Sequence, residues 1–424
     1  MKEVDHAGRP VVVVTGMGAL TALGEGVEEN WRLLTAGKSG IRRISRFPLD
    51  GLKTMIAGTV DFIGPPDQPT PERAEKMAEQ VARAAIAQAG IGGPGDFPGP
   101  LLLAVAPYEV EWPQRISLAA KAGAKPVTYA DLLRLAASGR FRELHRRFQV
   151  GTITEALACQ FGTKGTPIGL TTACASGATA IQLGLEAIRR GETGAALCVG
   201  TDSSITAETL IRFSLLQALS TRNDHPEAAL RPFNKDRDGF VMAEGAGALV
   251  LESVAHARAR SANVLGVVEG GGDMADCFHR TRSSPDGKPI IGCMQKAIAD
   301  AGLSPDDIDY INAHGTGTPE NDKMEWLGIT AVFGERATKL PVSSNKSMIG
   351  HTLSAAGAVE AVFTLLSLRD GLLPPTIGYD VPDPALPVDC VPNVARPAAI
   401  KHALSNSFGF GGQNVSLVFG TAPN

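Results

Sequence analysis

No sign of charge dominates this chain: 40 Lys and Arg stand against 44 Asp and Glu, a net charge of −4. Composition therefore offers no field that would draw nucleic acid or an anionic membrane. Long apolar runs are missing too, and none approaches the ~18–20 residues of a membrane span. The first apolar run, Val11–Val14, follows the mixed charges Lys2, Glu3, Asp5 and Arg9, not the basic stretch of a secretory leader, and it stops at Gly16 and Gly18. The six cysteines, at 159, 174, 198, 277, 293 and 390, form no C-x-x-C pair, and a chain of 424 residues needs no disulfide staples. Free thiols and a cytoplasmic location are the expectation. Metal-ligand spacing is absent, and Gly16-x-Gly18 lacks the third glycine of a dinucleotide fingerprint.

What is present reads as a globular enzyme. Hydrophobic residues make up 44% and charged residues 20%, enough apolar surface to offset the ordering entropy. The length allows two domains or one fused unit. Short β-branched runs predict strands at Val11–Val14 (entering a glycine turn), Leu101–Val105, Ala195–Val199, Ala248–Leu251, Val264–Val268, Ile308–Asn312 and Val415–Phe419. Helical patterns lie between them at Pro71–Ala89, Ile181–Arg190, Pro289–Ala301 and Val359–Arg369. Such alternation predicts an α/β fold. The segment 107–150, with Trp112, Tyr129 and the cluster Arg140, Arg142, His145, Arg146 and Arg147, has another texture and reads as an inserted helical excursion.

One internal repeat organises the chain. Residues 174–191, CASGATAIQLGLEAIRRG, align without gaps on residues 354–371, SAAGAVEAVFTLLSLRDG, at an offset of 180 with six identities. The expectation is a duplication: a first half over 1–256 interrupted by the excursion, and a second half over 257–424. Convergence of two Ala-rich helices is the alternative.

Four clusters carry chemistry. Cys174 opens a helix among small residues, Thr172-Ala173-Cys174-Ala175-Ser176-Gly177. A helix N-terminus favours thiolate, whereas a lone Cys in an Ala-rich helix is otherwise an inert core residue. The repeat puts Ser354 at the matching place, so packing does not demand Cys there. His314 follows a predicted strand on the loop Asn312-Ala313-His314-Gly315-Thr316-Gly317-Thr318. Lys346 and His351 lie in Ser344-Asn345-Lys346-Ser347-Met348-Ile349-Gly350-His351, either in a site or as solvated charges. Asn406-Ser407-Phe408-Gly409-Phe410-Gly411-Gly412 is a Gly-rich loop whose backbone N–H groups could serve an oxyanion. A Cys with two His points to acyl chemistry through a thioester, with imidazoles at a developing enolate oxygen.

These motifs, with Val13-Val14-Thr15-Gly16-Met17-Gly18, Arg231-Pro232-Phe233 and Arg237-Asp238-Gly239-Phe240, resemble the beta-ketoacyl-[acyl-carrier-protein] synthases of the thiolase superfamily, of the synthase II type, over nearly the whole chain. The resemblance implies a thiolase-like layered αβαβα fold from two duplicated halves. It also implies a decarboxylative condensation of acyl- and malonyl-loaded acyl carrier protein, in fatty acid or specialised lipid or polyketide synthesis. By the same resemblance Cys174 is the nucleophile, His314 and His351 bind the malonyl thioester oxygen, and Lys346 is a supporting cation. Cys174 and Phe410 supply the oxyanion N–H groups, and Phe410 is also the gate. Asp322, Glu325 and Phe408 support them, Glu325 being expected to orient Lys346. Phe213 and Leu215 would line the acyl pocket, and Arg73, Lys76 and Arg146 would dock the acidic carrier.

The resemblance further implies a homodimer, with no bound cofactor, no metal and no nucleic acid, the substrates riding on the carrier's phosphopantetheine. Segment 107–150 departs from the family pattern, and Gln217 stands where relatives carry Arg. A non-catalytic, chain-length-determining partner subunit is the alternative; such relatives lack the nucleophile that Cys174 would provide.

Overall fold

The computed structural model describes residues 2–121 and 128–422. Strand β1 (Val12–Thr21) is covered by helix α1 (Thr70–Ala89) and followed by β2 (Leu101–Val105). Three short helices come next, α2 (Trp112–Lys121), α3 (Tyr129–Ala137) and α4 (Arg142–Arg147), and none contributes a buried residue. The first half then runs through β3 (Ile168–Leu170), α5 (Ser176–Arg189), β4 (Ala195–Asp202), α6 (Ala207–Leu215) and β5 (Gly245–Ser253). The second half begins with β6 (Gly266–Ala275), α7 (Lys288–Asp300), β7 (Tyr310–Asn312) and α8 (Pro319–Phe333). It continues through β8 (Val342–Ser343), α9 (Lys346–Ile349), α10 (Ala356–Asp370), β9 (His402–Phe408) and β10 (Gln413–Thr421).

Both halves build their sheets alike. The strand orders are β3-β2-β4-β5-β1 and β8-β7-β9-β10-β6. In each, the second strand of the half pairs in parallel with the third and fourth, and the fifth runs antiparallel to the fourth and the first. Val12–Val14 of β1 also pairs with β6 and joins the two sheets. Helix α1 covers one outer face, α7 the other, and α5 and α10 lie between the sheets. That is the five-layered αβαβα arrangement. Residues 356–368 of α10 are all buried, as befits a helix enclosed on every side.

The repeat appears in three dimensions as a contact. A Cβ on Gly177 would lie 2.5 Å from the backbone N of Ala358, and one on Gly357 would lie 2.4 Å from that of Ala178. Each helix thus presents its glycine to the alanine that follows the other's, and the two glycines, like the two alanines, are 180 residues apart.

Three expectations need correction. Gly16 and Gly18 do not turn the chain; they lie within β1, where a Cβ would come 2.0 and 2.1 Å from carbonyl oxygens of α1. β6 runs on through Gly270–Gly272 instead of stopping at Val268, with α7 directly on Gly270 and Gly272 and α5 facing Gly271. Asn406-Ser407-Phe408, expected in the Gly-rich loop, instead complete strand β9. In all three places glycine or polar residues mask a strand whose face is covered by a closely approaching element.

Candidate active site

Cys174 is placed by a short, tightly bonded turn between β3 and α5. Ala173 takes a left-handed backbone, φ 49°. The Thr172 N–H donates to Ser176 Oγ at 2.8 Å, and the Ser176 hydroxyl donates to the Ala173 carbonyl at 2.6 Å. The turn that joins β9 to β10 lies against it: a Cβ on Gly409 would be 3.2 Å from the Cys174 N, and the Phe410 N–H hydrogen-bonds the Cys174 thiol.

His314 and His351 reach the same point from the other half. Glu325 of α8 accepts the His314 and Gly315 N–H groups on its two oxygens, at 2.9 and 2.7 Å, and the Asn406 amide at 3.1 Å. That fixes the loop after β7. The His351 N–H donates to the Val241 carbonyl at 2.7 Å. The Leu353 N–H donates to His351 Nδ1 at 3.3 Å, so Nδ1 is an acceptor and the proton of the neutral ring sits on Nε2. The two imidazoles meet edge to face at 5.3 Å; Phe240 supports His351 at 5.2 Å and Phe408 supports His314 at 5.9 Å. One nitrogen of each ring and Cys174 Sγ all lie within 4.8 Å of one another.

Burial sets the protonation states. It lowers both imidazoles well below their ordinary value, helped by the Lys346 ammonium, so both rings are neutral at pH 7. Burial likewise pushes the Cys174 thiol up to about 11, against the opposing pull of Lys346 and of the Phe410 N–H. The expectation that the helix N-terminus would favour thiolate is therefore corrected: desolvation outweighs the Lys346 charge and the Phe410 N–H. Cys174, His314 and His351 are also a donor set of the kind that holds a metal ion, the one such cluster among the described residues. Metal binding would have to strip the proton from this raised thiol.

Lys346 is fully buried and pairs with Glu360 of α10. Here the expectation that Glu325 orients Lys346 is corrected, since Glu325 is engaged with the His314 loop. Burial pushes the Glu360 carboxyl up to about 7 although Lys346 pulls it down. The sequence carried a signal for this partner: Glu360 is the one charge in an otherwise apolar helix until Arg369. Asp322 accepts the Phe233 and Gly317 N–H groups at 2.7 and 3.1 Å, bracing the same loop from below.

Cys174, His314 and His351 line one cavity together with Phe213, Phe240, Phe408 and Phe410. The Phe213 ring packs against Phe240 and Phe410 at 5.4 and 6.4 Å. Leu215, expected beside it, is corrected: it is 78% exposed on the far side of α6. Arg73 is corrected as well, being 1% exposed. Its guanidinium donates to the Val60 and Pro65 carbonyls and lies 3.9 Å from Glu244, so it faces the interior of the fold and not a partner. Lys76 and Arg146 are exposed and outside the cavity. Sequence reasoning missed Phe240, which supports His351, and Glu360, the partner of Lys346.

Comparison with known proteins agrees with this geometry. Residues 9–91 and 116–257 match the N-terminal domain model of beta-ketoacyl synthases, and residues 265–380 match the C-terminal one. The 3-oxoacyl-[acyl-carrier-protein] synthase 2 of Vibrio cholerae is 39% identical over 417 residues, 96% of this chain and 98% of the relative. A solved type II PKS acyl-carrier protein in complex with its ketosynthase, bound to the hexaketide, superposes with a TM-score of 0.85 at 31% identity. The match covers 98% of this chain and all of that one. The ishigamide ketosynthase/chain length factor superposes at 0.81 with 34% identity, covering 98% of this chain and all of that one. No helix among the described residues is long and apolar enough to cross a membrane. A thiol and two neutral imidazoles brought together from duplicated α/β halves, and relatives alike along nearly the entire length, place the chain in the beta-ketoacyl synthase family.

Proposed function

We propose that the chain condenses an acyl group with a malonyl unit, both delivered as thioesters on the phosphopantetheine of an acyl carrier protein, to give the 3-oxoacyl thioester. The observation that carries the reading is the convergence of Cys174 Sγ and the two imidazoles within 4.8 Å. Sγ attacks the acyl thioester carbon; the carrier leaves as thiol with the proton, and the acyl group stays on Cys174. The malonyl thioester then binds, and its C–CO₂ bond breaks. The electron pair moves onto the thioester oxygen, where the His351 Nε2–H and His314 hydrogen-bond the enolate. The carbanion attacks the acyl carbon, the oxyanion lies against the Cys174 and Phe410 N–H groups, and the C–S bond breaks to return Sγ, which takes a proton. Lys346, held by Glu360, adds its charge to the burial that keeps both imidazoles neutral. Neutral donors suit an enolate, whereas hydrolysis would need a base-activated water.

A non-catalytic partner subunit has no use for a thiol in this geometry. Lys76 and Arg146 are the docking cations of this reading. Their elements adjoin: Arg147 of α4 pairs with Glu72 of α1 at 2.8 Å. Homodimerisation through the free edge of β3, where Ile168 is 43% exposed, completes the reading. So does a cytoplasmic setting that keeps all six cysteines free.

The test is mass spectrometry of the protein incubated with acyl-carrier protein. An acyl adduct on Cys174 that malonyl-carrier protein discharges as 3-oxoacyl product is expected, and Cys174→Ala should lower elongation by ~10³-fold or more. Absence of the adduct would favour the partner-subunit alternative.

A further inference from the structure

Asp202 closes β4 in the first half and is fully buried. Three other buried acids each face a cation: Glu244 pairs with Arg46, Glu252 with Arg260 and Glu360 with Lys346. Among the described residues Asp202 forms no ion pair, and its partners are backbone N–H groups. Oδ1 accepts the Ser204 N–H at 2.9 Å, within its own turn, and Oδ2 accepts the Ser354 N–H of the other half at 3.1 Å. Burial pushes the carboxyl up to about 6 against these N–H groups, so at pH 7 it is ionised and both oxygens accept. Ser354 stands in the turn that follows His351. Leu353, just before it, holds φ 46°, a left-handed backbone that persists in a residue with a Cβ only where the surroundings over-determine it. The Leu353 N–H is the donor to His351 Nδ1 at 3.3 Å.

Glu325 is held in the same way, accepting two N–H groups of the His314 loop. Each imidazole segment is thus gripped by one buried carboxylate, and the acid on the His351 side comes from the half that carries Cys174. We infer that Asp202 is a positioning residue for His351: by holding the Ser354 N–H it fixes the turn that keeps Nδ1 an acceptor, and so aims the Nε2–H at the enolate oxygen. This rests on the condensing reading above. An amide cannot replace the carboxylate here. Asn offers one oxygen, and its NH₂ would face the second N–H donor. The Cys174 thiol does not need this bond: burial raises it, and the Asp202 charge adds to the rise.

The experiment separates the two half-reactions. Acylation of Cys174 from octanoyl-carrier protein is read by mass spectrometry, and CO₂ release from malonyl-carrier protein reads the step at His351. Asp202→Asn should lower kcat for CO₂ release about tenfold, part of the ~10²–10³ that losing a whole preorganised donor costs, with KM within about twofold. Its acylation of Cys174 should stay within about threefold of native. Because Asp202 acts through His351, the loss should shrink to about twofold or less in the H351A background yet persist in H314A. Should D202N melt below the assay temperature, Asp202→Glu, which keeps two acceptor oxygens on a longer arm, takes its place in the same cycle. In a folded variant, acylation and CO₂ release falling together, or a loss equally large in H351A, overturns the proposal and leaves the condensing reading intact. A native protein that neither acylates Cys174 nor releases CO₂ would instead sink the condensing reading.

Discussion

Ala173 and Leu353 stand 180 residues apart and share an uncommon backbone, with φ of 49° and 46°, a region that residues with a Cβ rarely occupy. Each leads into one of the two central helices, and there the likeness ends. Cys174 follows Ala173 and lines the cavity; Ser354 follows Leu353, is 4% exposed, and donates its backbone N–H to Asp202 at 3.1 Å. Two residues before each turn residue stand an exposed Thr171 and the buried His351. Further along the helices, buried Ala180 corresponds to Glu360, the partner of Lys346. The backbone was kept in duplicate while the chemistry was divided. One half carries the thiol of Cys174, and the other carries the two imidazoles and the buried Lys346.

The matched pair Thr171 and His351 breaks this comparison most easily. Removing one preorganised donor at an oxyanion typically costs ~10²–10³ in rate, or about 2.7–4 kcal/mol, so His351→Ala should lower condensation by that much, and His314→Ala similarly. Thr171→Ala should stay within about threefold, as exposed substitutions away from a site do. Steady-state turnover with carrier-bound substrates checks both. A Thr171→Ala loss as large as that of His351→Ala would mean that the halves do not divide the work.

The pair Lys346 and Glu360, whose acid the first half replaces by Ala180, sharpens the same point through stability. Removing one member of a buried ion pair costs ~3–5 kcal/mol, because the other is left uncompensated. Lys346→Ala should show that loss in urea unfolding, and the double variant K346A/E360A should recover most of it without recovering activity. Glu360 already has its carboxyl raised from 4.5 to about 7 with Lys346 present. The unfolded acid titrates near 4.5, so the folded state binds the extra proton first. The Lys346→Ala deficit should therefore be largest at pH 8 and shrink as pH falls through 7 toward 5. A deficit independent of pH would show that Glu360 is not what Lys346 compensates.

Legibility followed local chemistry. Cys174, His314, Lys346 and His351 stood out because each sits in a run of small or Gly-rich residues, where neither packing nor solvation calls for a reactive side chain. The strands at Leu101–Val105 and Ala195–Val199 were legible because both faces are buried and every position is apolar. Arg73 misled because periodicity does not report that two carbonyls and Glu244 await a cation inside the fold. Leu215 misled because its neighbour Phe213 does turn inward, and one helical position decides between cavity and solvent. The raised thiol of Cys174 was invisible for another reason: the helix N-terminus is local and readable, whereas the burial that raises the thiol depends on residues distant in sequence, such as Phe410.

The smallest effect lies at the helix contact itself, where the halves should behave alike. Gly177→Ala would set a Cβ 2.5 Å from the Ala358 N, and Gly357→Ala one 2.4 Å from the Ala178 N. Both obstacles are backbone, so no rotamer relieves them and the two helices must separate. Alanine gains ~0.8–1 kcal/mol of helix propensity over glycine, but overpacking a dense core costs ~1–3 kcal/mol, so each variant should be destabilised modestly. Because either substitution pushes the same pair of helices apart, the second should cost less once the first is present, and the double variant should lose less than the sum. Thermal melts of the two single variants and the double variant measure this. Losses that differ by more than about 1 kcal/mol, well outside the usual additivity error, would mean that the two contacts are not equivalent. The repeat would then be a likeness of two Ala-rich helices and not the trace of a duplicated scaffold.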